Sequence, residues 1–104
     1  MNKESHGKVE IVPETERVLF RFQGELDSAS CKTWSDRVLT QIGETALPVV
    51  FDLADVAFVG SPFLSLCIQA QEKLGAARLT LVNLTPPVKK VFVVSGLEPH
   101  FRIA

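Results

Sequence analysis

Along the chain, the spacing of apolar residues changes in step with the elements it predicts. Residues 17–24, RVLFRFQG, alternate: Val18, Phe20 and Phe22 share one face, and Arg17, Leu19, Arg21 and Gln23 the other. A period of two is that of a half-buried strand. The KVEIV of residues 8–12 predicts its hairpin partner, across a PETE turn that Pro13 begins. Beyond residue 30 the period lengthens. Cys31, Trp34, Val38 and Ile42 recur at three- and four-residue steps, which predicts a helix with one buried stripe. Asp27, Ser28 and Ser30 are all able to cap its start, and Gly43 is expected as the glycine that stops it.

Residues 48–60, PVVFDLADVAFVG, are apolar without clean alternation, which predicts a strand covered on both faces. The segment after it, PFLSLCIQAQEKLG, has Pro62 at the first helical position and Gly75 as a stop. Its apolar positions cover more than one stripe, so this helix either packs on two sides or keeps an apolar face for a partner. Residues 77–84, ARLTLVNL, predict another strand. In VKKVFVVSGL, the valines favour a strand by propensity. The start at Thr85 and Pro86 and the stop at Ser95 and Gly96 favour a helix, with Val88, Val91, Phe92 and Ser95 on one face. We read it as a helix, and the closing HFRIA as a short edge strand. The order β-β-α-β-α-β-α-(β) predicts an α/β fold: a single domain with a mixed sheet and crossover helices packed against it.

Composition narrows the function. The 104 residues carry a net charge of −1, with no basic block, so no nucleic-acid partner is expected. The polar residues 1–7, MNKESHG, have no apolar stretch of the secretory kind and read as a tail preceding a domain over 8–104. No apolar run approaches the ~18 residues of a membrane span, so neither membrane insertion nor a location outside the cytoplasm is expected. Cys31 and Cys67 fit neither a disulfide framework nor a metal motif; they read as buried, inert thiols. His6 and His100 stand beside no pattern that would make either a catalytic base, and no catalytic signature is present. The sequence therefore predicts no enzyme, no cofactor and no metal. Asp27 reads as a helix cap.

One joint remains, in FVGSPFLS, where a strand meets a helix N-terminus. In open α/β sheets the carboxyl end of a strand is the usual functional edge. Ser61 at that joint can cap the helix. It can equally receive a phosphoryl group, which brings about −1.5 to −2 charges. The residues alone leave both roles open.

Taken together, GELD (24–27), VVFDLADVAFV (49–59), GAARLTLVNL (75–84) and PPVKKVFVVSGL (86–97) resemble, in order and spacing, the STAS domain of bacterial anti-sigma factor antagonists. The resemblance runs from about Val9 to Phe101. The family's core motif usually reads Asp-Ser-Ser/Thr-Gly-Leu; this chain has Gly60-Ser61-Pro62-Phe63-Leu64. The resemblance implies that Ser61 is the position phosphorylated by a partner kinase. It further implies a switch in which the unphosphorylated domain binds an anti-sigma factor that is itself a serine kinase, and phosphorylation breaks the complex. The implied partner surface comprises Asp27, Gly60, Ser61, Pro62, Phe63 and Leu64, with Phe63 as a large apolar group on the surface. The family also includes constitutive subunits of an envelope lipid-transport ATPase complex, independent of phosphorylation; in that alternative Phe63 would form a permanent apolar contact. Oligomeric state is open. Two departures from the motif stand out: Gly60 replaces its aspartate, and Phe63 its small glycine.

Overall fold

The computed structural model describes residues 7–75 and 77–104; most of the expected polar tail, His6 included, lies outside the described residues. The alternating segments form the expected hairpin: β1 (Lys8–Pro13) runs antiparallel to β2 (Val18–Leu26), from Lys8 opposite Gln23 to Pro13 opposite Val18. Its turn is closed by the Glu14 N–H donating to the Arg17 carbonyl at 2.9 Å. There follow α1 (Ser28–Gly43), β3 (Val49–Val59), α2 (Ser61–Leu74), β4 (Leu79–Val82), α3 (Pro86–Val94), a short 3-10 turn (Glu98–His100) and β5 (Arg102–Ile103).

The strands lie side by side in chain order, β1-β2-β3-β4-β5, and every pair after the hairpin is parallel. This is the mixed sheet that the sequence predicts. Parallel neighbours need right-handed crossovers, and because each crossover steps the same way, all three helices lie on one face. The core confirms it: Phe20, Phe22, Phe51 and Leu53 join the buried stripes of α1, α2 and α3 in one cluster, from which Leu19 and Val50, pointing to the opposite face, are absent.

That arrangement corrects the reading of β3 as a strand covered on both faces. The opposite face carries a charged row instead, in which Arg21 lies 3.6 Å from Glu10 and 3.9 Å from Asp52. Asp52 also accepts from the Asn83 side-chain amide at 3.1 Å. The run looks two-sided because Val50 is paired with Leu19 on that face, and because β3 slips register twice. Between Arg21 and Gln23, and again between Gly24 and Glu25, β3 spends one residue more than β2. Its buried positions therefore step from Phe51 and Leu53 to Val56 and Val59, a bulged strand's spacing rather than a strict period of two.

The buried stripe of α1 is the expected one, Cys31, Trp34, Val38 and Ile42, with Ser30 added. The helix does not stop before Gly43, however. Gly43 is helical, and the chain leaves at Glu44, whose N–H donates to the carbonyls of Gln41 and Ile42. Gly75 and Gly96, by contrast, do adopt the left-handed φ values of 80° and 79° expected where helices end. After α3, the Gly96 N–H reaches the Val93 carbonyl at 3.1 Å and the Leu97 N–H the Phe92 carbonyl at 3.0 Å. This Schellman pair of bonds stops a helix whose valines would by themselves favour a strand.

Gly7, taken from the sequence as the end of the tail, is buried and tied into the domain. Its N–H donates to Ser30 Oγ at 2.8 Å, and its carbonyl accepts from Trp34 Nε1 at 3.3 Å. A Cβ at this position would lie 2.5 Å from the Glu25 carbonyl oxygen, so only glycine fits.

Candidate functional site

The ends of β2 and β3 bring two helix starts together. Leu26 pairs with Val59, and the Gly60 N–H donates to the Leu26 carbonyl at 2.9 Å, so the residues after each strand are neighbours. Asp27, after Leu26, is the N-cap of α1: its carboxylate accepts from the Ser30 N–H at 2.9 Å. Thr85, the N-cap of α3, lies along the same edge and donates its hydroxyl to the Val56 carbonyl at 3.4 Å. Three helix N-termini, with their partial positive charge, thus line the carboxyl edge of the sheet.

At the joint itself, the N-cap of α2 is Gly60, one residue before the serine. Its backbone is extended (φ −103°, ψ 176°), and its carbonyl accepts from the N–H groups of Phe63 at 3.0 Å and Leu64 at 3.3 Å. Ser61 is therefore the first helical residue and Pro62 the second. The cap role proposed for Ser61 is corrected accordingly: no side-chain cap bond is made at this start. Ser61 is exposed, and among the described residues its hydroxyl has no hydrogen-bond partner. The one-residue offset follows from Pro62, whose missing N–H and fixed φ suit either of the first helical positions.

The same offset relocates Phe63. Counted from Ser61, the inward stripe of α2 is Phe63, Leu66, Cys67, Ala70 and Leu74. Phe63 is fully buried, with its ring edge-on to Phe22 at 5.1 Å and 6.4 Å from Phe51. It is a core residue, and the expectation of an apolar anchor on the partner surface is overturned. Pro62 and Leu64 are half-buried, and Leu64 packs against the core.

The aromatic ring that the edge does expose is Phe58, 50% accessible. One of its ring carbons would lie 3.6 Å from a Cβ on Gly60, so it flanks the serine joint. Sequence reasoning missed it; the signal was the three-residue step from Val56 to Val59, which leaves Phe58 outside the core.

The two thiols are buried and free. Burial, with the nearby Asp27 charge adding, pushes the Cys31 thiol up to about 11. Burial raises Cys67 further, helped by Cys31. Both are poor nucleophiles near neutrality. Among the described residues no group of three His, Cys, Asp or Glu side chains could hold a metal ion. No described helix is long and apolar enough to cross a membrane.

The sequence model of the STAS domain matches residues 8–104, and the chain belongs to that family. Solved structures agree with the assignment. The chain is similar to the anti-sigma factor antagonist SpoIIAA in its unphosphorylated form, with a TM-score of 0.78 and 29% identity, covering 93% of this chain and 88% of that one. It is similar as well to the Bacillus cell fate determinant SpoIIAA in the phosphorylated form, with a TM-score of 0.71 and 28% identity, covering 93% and 91%. An anti-sigma factor antagonist from Mycobacterium paratuberculosis shares the fold at 19% identity, with a TM-score of 0.86 over 99% of this chain and 89% of that one. Among curated proteins none matches.

Proposed function

We propose that this STAS domain is a regulatory protein-binding module of the anti-sigma factor antagonist type, docking its partner at the carboxyl edge and switched by phosphorylation of Ser61. The partner is an anti-sigma factor that is also a serine kinase. One observation carries the reading: Ser61 is exposed at the first position of α2, with a hydroxyl that the fold leaves unused. The existence of a related antagonist in unphosphorylated and phosphorylated forms supports it.

The physics of the site favours a switch that acts on the partner. A phosphate on Ser61 would meet the positive end of α2 and remain compatible with its own fold. With Gly60 in place of the motif's aspartate, no carboxylate immediately precedes the acceptor. An apolar or acidic partner surface pressed against the same edge would face two new charges. The alternative, a permanent transport-ATPase subunit, loses the support of Phe63, which lies in the core, and keeps only that of the aspartate missing at Gly60.

The test is capture of the tagged chain from its own cells, with the state of Ser61 read by mass spectrometry. A serine-kinase anti-sigma factor should be held only by chain with unmodified Ser61. Ser61→Ala should keep that partner, and Ser61→Asp should weaken binding roughly tenfold or more. Equal binding by the two variants would remove Ser61 from the interface.

A further inference from the structure

We propose that the outer face of α3 is a second docking site, for a protein segment that presents a carboxylate between two apolar side chains. Its inner face is accounted for: Val88 and Phe92 are buried, and Phe92 packs edge-on against Phe101 at 5.9 Å. On the outer side, Val91 still packs against the core, but Val93 and Val94 do not. Val93 and Val94 are 51% and 75% exposed, the latter the most exposed large apolar side chain among those described. Valine is a poor helix former, so these two residues neither favour the helix nor fill the core.

The surface around them carries two shallow, open depressions. One groove, of about 400 Å³, lies between Leu84, Pro86 and Val93. A second, of about 320 Å³, lies between Pro87, Val91 and Val94. Lys90 lines both and separates them, and Lys89 lies on the first. No acidic side chain lines either groove. Two apolar depressions on either side of an ammonium group are complementary to two apolar side chains on either side of a carboxylate. Two lysines, Lys89 and Lys90, are fewer than the cluster of roughly four to eight basic residues that an anionic lipid surface calls for, which favours a protein segment. The inference rests on no observation at Ser61, although Leu84 and Pro86, on either side of the Thr85 cap, place one end of the first groove at the carboxyl edge.

The test is a methyl NMR titration of the full chain with a helical peptide presenting leucine, glutamate and leucine along one face. The same peptide with lysine for glutamate is the control. Saturable shifts confined to the methyls of Leu84, Val91, Val93 and Val94 are expected with the acidic peptide alone. Lys90→Glu should weaken binding roughly tenfold, and Val94→Ser should weaken it as well; both positions are exposed, so an otherwise unchanged spectrum verifies the fold. Ser61→Asp should leave the titration unaltered. The proposal is overturned by unsaturable binding or by equal binding of the lysine peptide. It is overturned too if these methyls respond only to vesicles of phosphatidylserine and phosphatidylcholine. The same shifts on concentrating the chain alone would assign the face to a second copy and overturn it equally.

Discussion

Phe63 holds the first turn of α2 against the sheet through its contacts with Phe22 and Phe51. Because it fills the centre of a close-packed core, Phe63→Ala should cost about 3–5 kcal/mol in denaturant unfolding, with any loss of partner binding following from lost fold. Gly7→Ala acts by the opposite means, forcing an atom against the Glu25 carbonyl where there is no room. It should destabilise by about 1–3 kcal/mol and disturb the Trp34 indole bound to Gly7. Trp34 itself, buried at 4% exposure, should emit at blue-shifted wavelengths in the native state and move to the red on unfolding. The thiols give a pH dependence whose sign is fixed. Their folded pKa values lie above the ordinary 9.0, Cys31 at about 11. The folded state thus keeps protons that the unfolded chain releases, and stability is full below about pH 9 and falls as pH rises toward 11. Titrating the unfolding midpoint through this window, with Cys31→Ala as the control, measures it; a flat profile would contradict the burial.

Elements differ in how plainly the chain announces them. Helix α1 was legible in its stripe and its Asp27 cap, which obey one period, but not in its stop, since Gly43 is helical. Asp27→Ala should remove about 1 kcal/mol from its start, read as a lower unfolding midpoint. Gly60→Asp, at an extended N-cap whose Cβ would meet only ordinary contacts, should stabilise α2 by about a few tenths of a kcal/mol. Helix α3 was legible through its ends and one face: Thr85, Pro86 and Gly96, with Val88, Val91, Phe92 and Ser95 at helical spacing, outweighed the strand propensity of four valines. Strand β3 was misread because bulges shift parity without leaving a mark in composition. Two extra residues were enough to hide the exposed Phe58; the buried Phe63 was misplaced for a separate reason, the one-residue offset at the start of α2. Ser61 was found at the right joint for a reason that holds, a strand end meeting a helix start. Its exact position in the first turn depends on Pro62, for which either of two positions is sterically acceptable.

At the scale of the whole molecule, the chain makes two layers, a five-stranded sheet and one tier of helices, and its shortest extent is 19 Å. The radius of gyration, 12.7 Å, is that of an ordinary compact domain of about 100 residues, so leaving one sheet face without helices does not loosen the fold. One consequence concerns how such a chain comes together. Because spatial order repeats chain order, no strand must be inserted between two that have already joined; each new one finds the edge left by its predecessor. Assembly can follow synthesis from the N-terminal hairpin onward, with only neighbouring loops to close. The last arrival is also the smallest, a two-residue strand held at its end by the Ala104 N–H on the Leu81 carbonyl at 2.9 Å. Hydrogen exchange should show that amide opening well before those of Phe20 and Phe51. The growing end would then remain the loosest part of the finished sheet, a record of the order in which it was built.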